Sequence, residues 1–168
     1  MIITSPGWLF IILITLLIMS GVLSSLTVSL LTMSRSKLAS LIQRDESSTL
    51  AKRLSAIEND PDGHAAAIRI LSIVTNLLVG LASIYWLTAI MNLDNPTLTS
   101  IIIGIVVATA LTWPATILVP IGVANHAGER FVALFSIVVR AAHTILYPLL
   151  FLMRFLDEVI RRLAGADL

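Results

Sequence analysis

Long apolar stretches alternate with shorter polar ones along the chain. No charged residue occurs in residues 1–34, 70–93 or 95–128. About 20 apolar residues cross the hydrocarbon core of a bilayer as a helix, and lipid leaves helix as the only option for a single segment. Three buried helices of a soluble bundle would need polar faces, which these runs lack. The pattern predicts an all-α membrane protein with three spans, at about residues 8–33, 68–91 and 98–123.

A fourth apolar run, at residues 131–153, is interrupted by Arg140 and His143 and contains Pro148. An arginine near the centre of a span costs about 2.5–3.5 kcal/mol on insertion scales, and an internal proline kinks a helix. A fourth span remains possible for this segment. We expect instead an interfacial or re-entrant element.

Basic residues are distributed unevenly between the apolar runs. Six of the eleven lie between the first and second uncharged runs, and five follow the third: Arg35, Lys37, Arg44, Lys52, Arg53 and Arg69, then Arg130, Arg140, Arg154, Arg161 and Arg162. The positive-inside rule therefore predicts a multi-pass protein of the cell (inner) membrane, with its N-terminus outside and its C-terminus cytoplasmic. Apolar residues recur at helical spacing in two parts of the first basic segment, which predicts two short juxtamembrane helices at about 35–59. We expect a second juxtamembrane helical region at about 129–163.

Composition changes this picture little, but it excludes several functions. Hydrophobic residues make up 57% of the 168 residues and charged residues 12%, whereas soluble domains are about 25% charged. The absence of cysteine excludes disulfides and thiolate metal sites. The sequence has no Gly-x-Ser-x-Gly, no His-Glu-x-x-His and no phosphate-binding glycine loop, and its three histidines are scattered along it. We expect no enzyme activity and no nucleic-acid partner. The first apolar run lacks a basic n-region and a clear cleavage site, so it is expected to be a retained helix rather than a signal peptide.

Polar side chains inside the predicted spans are the candidate chemistry. Ser20, Ser24 and Thr27 share one face of the first span, and Asn76 lies within the second. Hydroxyls of this kind commonly serve helix packing. A buried carboxamide needs several partners, so Asn76 marks either a packing node or a site. Prolines in the third span free backbone carbonyls, which would suit an oxygen-lined cavity for an ion.

Short fragments in a characteristic order carry a resemblance to a known family. They are Ser20-Gly21-Val22-Leu23-Ser24-Ser25-Leu26, Glu58-Asn59-Asp60-Pro61, Thr75-Asn76-Leu77-Leu78, Ile117-Leu118-Val119-Pro120 and Leu146-Tyr147-Pro148-Leu149. From about residue 20 to residue 162, the chain resembles the transmembrane domain of the CNNM/CorC family of magnesium-transport proteins. The resemblance implies a single domain over 1–168 and a homodimer of three-span protomers in the lipid bilayer.

The resemblance also implies a polar cavity for Mg²⁺, the one ion or cofactor expected. The positions carried over are Ser20, Ser24, Asn76 and Thr116. The chain departs from the family at Leu23 and Ile117, where the family has glutamates in its first and third helices, and its 168 residues contain no counterpart of the family's CBS domains.

Two functions follow from these observations. The first is a CNNM/CorC-like protein related to magnesium or divalent-cation transport. Mg²⁺ usually takes one or two carboxylates among its oxygen ligands, and the predicted spans contain no Asp or Glu. The alternative is therefore a non-transporting accessory or scaffold subunit that forms a heteromer with other membrane proteins. A polar cavity lined by Ser20, Ser24 and Asn76 would favour transport, and a seam closed by Leu23 and Ile117 would favour the alternative.

Overall fold

The computed structural model describes residues 5–43 and 48–163, which form α-helices, one π-helical segment and short turns, with no strand among them. The helices are α1 (Pro6–Thr32), α2 (Arg35–Gln43), α3 (Thr49–Asn59), α4 (Pro61–Ile90), α5 (Leu98–Trp113), the π segment (Pro114–Leu118), α6 (Val119–Leu134), α7 (Ser136–Ile145) and α8 (Tyr147–Leu163). The two short helices predicted at about 35–59 correspond to α2 and α3, and residues 44–47 between them lie outside the described residues.

Three helical stretches are long and apolar enough to cross a membrane: Pro6–Thr32, Pro61–Ile90 and the continuous Leu98–Leu134. This confirms the predicted fold class, an all-α membrane protein with three candidate spans and additional helices. Their outward faces carry large apolar side chains, such as Ile18 and Leu77, which are 64% and 67% exposed. Such faces are stable in a bilayer, because the lipid tails are as apolar as these side chains.

The second long helix begins at Pro61, earlier than the apolar run that predicted it, because the local sequence favours a start there. Asp60 caps α4, its side chain accepting a hydrogen bond from the backbone N–H of Gly63 (3.1 Å). Pro61 then occupies the first turn, where its missing N–H costs nothing. As a result α4 includes Asp62, His64 and Arg69 ahead of its uncharged body.

The third long stretch contains a π-helical segment at Pro114–Leu118 rather than a break. The backbone N–H of Val119 donates to the carbonyl of Pro114, five residues earlier. Pro114 lacks an N–H and crowds the preceding turn, and a single wide turn accommodates it without ending the helix. Wide turns of this kind are frequent at functional sites. Further along, Ala127 has a non-helical backbone (φ −148°, ψ 19°) inside α6, which marks a kink near the start of the predicted 129–163 helical region.

Two apolar clusters hold the helices together. The larger one gathers the last turns of α1, the first turns of α4 and the short helices, through residues such as Leu30, Leu54, Ile68, Val132 and Val139. The smaller one lies at the other end of the long helices and is formed by Leu13, Val79, Ala82 and Ala108. Ser20 of α1 and Ser72 and Asn76 of α4 lie between these two clusters along the helices.

The fourth apolar run is bent rather than straight. Ser136–Ile145 and Tyr147–Met153 meet at an angle of 67°. Pro148, in the first turn of α8, cannot continue α7 because its ring would clash with a carbonyl one turn earlier. Val139 and Ala142 on α7 are buried in the larger cluster, so this segment packs against the base of the three long helices.

Candidate functional site

A polar cavity of about 250 Å³ opens between α1, α4 and the π segment. Its lining combines hydroxyl, amide and guanidinium groups with two aliphatic side chains: Ser24, Thr27, Val28, Arg69, Ser72, Ile73, Asn76 and Thr116. The π segment contributes Thr116, and the wide turn therefore forms part of the wall.

The four residues predicted as a site come together at this cavity. Ser24, Asn76 and Thr116 line it directly. Ser20 is fully buried and donates its hydroxyl hydrogen to the Oδ1 atom of Asn76, so it supports the wall from behind. Asn76 is thus a packing node and a lining residue at once, the two roles that the sequence left open.

Ser72 completes the hydroxyl set, although the sequence did not single it out as a site residue. Its Oγ atom lies 3.1 Å from the Oγ atom of Ser24, across the gap between α4 and α1. Ser72 precedes Asn76 by one helical turn, so the two side chains share a face of α4. That spacing was a signal in the sequence that could have identified it.

The threonine hydroxyls present oxygen rather than hydrogen to the cavity. Thr27 donates to the carbonyl of Leu23 (3.0 Å), and Thr116 donates to the carbonyl of Thr112 (2.8 Å). Each hydroxyl has one hydrogen and two acceptor sites. With the hydrogen committed to the helix backbone, both oxygens remain as acceptors, which is the chemistry that favours a cation or the hydrogens of its bound waters.

Charge works against a bare cation in the cavity. Neither Asp nor Glu occurs among its lining residues, whereas Arg69 does. The carboxylate of Asp62 lines an adjoining cavity of about 200 Å³ that also includes Arg69. An unhydrated divalent ion would lack a compensating anion, and such an ion is strongly disfavoured away from water.

The two positions where the family has glutamates contribute no wall to the cavity. Leu23 is buried in the larger apolar cluster. Ile117 is 44% exposed on the outer side of the π segment, while its neighbour Thr116 faces inward. Leu23 therefore packs between helices without closing the cavity, and Ile117 closes no seam.

Two of the three histidines come together in the structure although they are far apart in the sequence. The rings of His64 on α4 and His143 on α7 are stacked, with their centroids 4.1 Å apart. Asp60 lies beside them, with its Oδ2 atom 3.4 Å from the Nε2 atom of His143. The sequence held no signal for this meeting, because it depends on how α7 packs against α4.

Comparison with known proteins agrees with the architecture. The family model CNNM, described as the cyclin M transmembrane N-terminal domain, matches residues 11–167. No curated protein matches the chain. The family model covers nearly the whole sequence, from the first long helix to the end of the helices that follow the third. The chain therefore belongs to the CNNM transmembrane-domain family.

Proposed function

We propose that this protein is a CNNM-type membrane protein that accepts a hydrated divalent cation, Mg²⁺ foremost, in the cavity between α1, α4 and the π segment. The observation that carries the proposal is the convergence of oxygens from Ser24, Ser72, Asn76 and Thr116 on one cavity. The family is linked to divalent-cation transport, and the four residues predicted as a site lie at this cavity or directly behind it.

Hydration reconciles the cavity with the missing carboxylates. Mg²⁺ gives up its waters reluctantly and usually keeps several of them in protein sites. One water needs at least about 10–15 Å³ of such a cavity, so a cavity of about 250 Å³ has room for an ion with its six waters. Hydroxyl and amide oxygens then accept hydrogen bonds from the water shell, and the ion keeps its own first shell.

The membrane setting belongs to the same proposal. The one-sided lysines and arginines favour a cell-membrane protein with its N-terminus outside. In the third candidate span, only 11% of the residues in its most apolar part are buried within the protomer. That leaves a large helical face for lipid or for the second copy of a homodimer.

An accessory role without transport is the second candidate, and the charge of Arg69 in the cavity is the observation that favours it. Packing surfaces for a partner also exist. At Gly80 and Gly122, an added Cβ atom would meet nothing within 4 Å, so both glycines lie on open helix faces. Small residues on such faces let another transmembrane helix approach closely.

Mg²⁺ uptake into proteoliposomes, followed with an entrapped fluorescent indicator, tests the proposal. We expect uptake by the wild-type protein and a reduction of roughly tenfold in Asn76→Ala. The substitution removes an amide from the cavity wall and leaves the buried Ser20 hydroxyl without its acceptor. A buried polar group without a partner costs about 1–3 kcal/mol. Asn95→Ala, at an exposed position in the turn between α4 and α5, is the matched control.

Two results would decide against the proposal. Equal Mg²⁺ uptake by Asn76→Ala and by the wild type would show that Mg²⁺ does not pass through this cavity. No uptake by wild-type protein that is shown to be folded would favour the accessory role, and co-purification of a second membrane protein would then support it.

A further inference from the structure

A cluster of three potential metal ligands lies outside the cavity, where α3 meets α4 and α7 packs against them. It consists of Asp60, at the start of α4, His64, one turn later, and His143, in the last turn of α7. One ligand atom from each lies within 4.8 Å of the other two. The proposed cation cavity does not use any of these residues.

The buried ring of His64 is set up to act as a ligand. Its Nδ1 atom lies 2.6 Å from the backbone carbonyl of Asp60. A carbonyl only accepts, so Nδ1 carries the hydrogen and Nε2 is left with a free lone pair. The residue is 2% exposed, and its Nε2 atom has no hydrogen-bond partner. Metal-binding histidines are commonly fixed in this way, with the second nitrogen held by a backbone carbonyl.

Asp60 and His143 provide the second and third ligand atoms. The Oδ1 atom of Asp60 caps α4, and its Oδ2 atom lies 3.4 Å from the Nε2 atom of His143. That Nε2 atom is buried, and its contact with Asp60 does not have the geometry of a hydrogen bond. Ligands about 2.0–2.1 Å from a tetrahedral zinc ion lie about 3.4 Å from each other, so this pair has the separation that a shared ion requires.

We propose that Asp60, His64 and His143 form a site for Zn²⁺ or a similar first-row transition metal ion. Two imidazole nitrogens and one carboxylate oxygen suit zinc, whereas Mg²⁺ prefers an all-oxygen shell. Binding requires the stacked imidazole rings to turn apart so that both Nε2 atoms face one ion, and a water completes the coordination. The ion would tie the end of α7 to the start of α4 and thereby fix the position of the helices that follow the third span.

Co²⁺ and Zn²⁺ binding to the full-length protein in detergent, purified without a histidine tag, tests this site. We expect one Co²⁺ per chain, with the visible absorption of a tetrahedral site, displaced by Zn²⁺ and unaffected by millimolar Mg²⁺. His143→Gln and His64→Gln should each weaken Zn²⁺ binding by at least tenfold. His126→Gln is the matched control, because His126 is exposed and lies outside the cluster.

Thermal unfolding gives an independent readout. Zn²⁺ should raise the Tm of the wild type and of His126→Gln, but not that of His143→Gln, whose partly exposed ring can be replaced with less disturbance than the buried His64. The inference is overturned by equal Zn²⁺ affinity in His143→Gln and the wild type, or by a lack of visible Co²⁺ absorption in the folded protein. Zn²⁺ binding that persists in Asn76→Ala separates this site from the Mg²⁺ cavity, so either proposal can fail alone.

Discussion

Replacing Arg69 by glutamine should raise the affinity of the cavity for Mg²⁺ about tenfold, and replacement by glutamate should raise it further. Arg69 is the charged residue among those that line the cavity. A divalent ion about 8 Å from a unit charge is repelled by about 2 kcal/mol at an effective dielectric constant of about 40. Because the arginine side chain is largely exposed, water and salt screen part of this energy, which gives the tenfold figure.

Competition between Mg²⁺ and Mn²⁺, measured by electron paramagnetic resonance, gives the Mg²⁺ affinity of each variant. The proteoliposome assay gives the rate of Mg²⁺ uptake. Lys52→Gln removes the same charge from an exposed position on α3 away from the cavity, and we expect it to change neither quantity by more than about twofold. The gain in Arg69→Gln should shrink as ionic strength rises. A lower affinity in Arg69→Glu, or an equal gain in Lys52→Gln, would contradict the electrostatic account.

The three long helices could be predicted because each uncharged run has the roughly 20 residues that cross a bilayer. A single chain segment in lipid can satisfy its backbone hydrogen bonds only as a helix. The residues at which these helices begin and end were less predictable. The polar start of α4 at Pro61 depends on the Asp60 cap and on packing beneath the apolar body. Hydropathy records where a helix is apolar, and it carries little information about where a helix begins.

The candidate site was predictable in its residues and not in its electrostatics. Ser24 and Asn76 stood out because polar side chains within apolar runs need partners, and the structure places both at one cavity with Thr116. Arg69 sits just before the second uncharged run, so the sequence marked it as a topology signal. Only the packing of α1 against α4 shows that it also lines the cavity.

The sequence could not predict the cluster of Asp60, His64 and His143, for a different reason. Asp60 and His64 are one helical turn apart, but His143 follows 79 residues after His64. Their meeting depends on the bend that ends α7 before Pro148 and on the burial of Val139 and Ala142 against α4. No local pattern encodes such a tertiary contact.

Gly104→Ala should destabilise the protein by about 1–3 kcal/mol, the usual cost of adding a methyl group to a packed interface. A Cβ atom at residue 104 would lie 2.8 Å from the Cγ1 atom and 2.9 Å from the Cα atom of Ile84. The Cα atom belongs to the backbone of α4, so a rotamer change of Ile84 cannot relieve the clash. Helices α4 and α5 must separate, although alanine favours the helix over glycine by about 1 kcal/mol.

Gly122→Ala separates the two contributions. A Cβ atom there would meet nothing of the same protomer within 4 Å, so within the protomer only the helix propensity changes. We expect that variant to be as stable as the wild type or slightly more stable, in thermal unfolding or in denaturing-detergent titrations. Since α5 leads directly into the π segment that carries Thr116, the separation of α4 and α5 should also reduce Mg²⁺ uptake in Gly104→Ala. Equal stability of the two alanine variants would mean that α4 and α5 pack less closely than the structure has them.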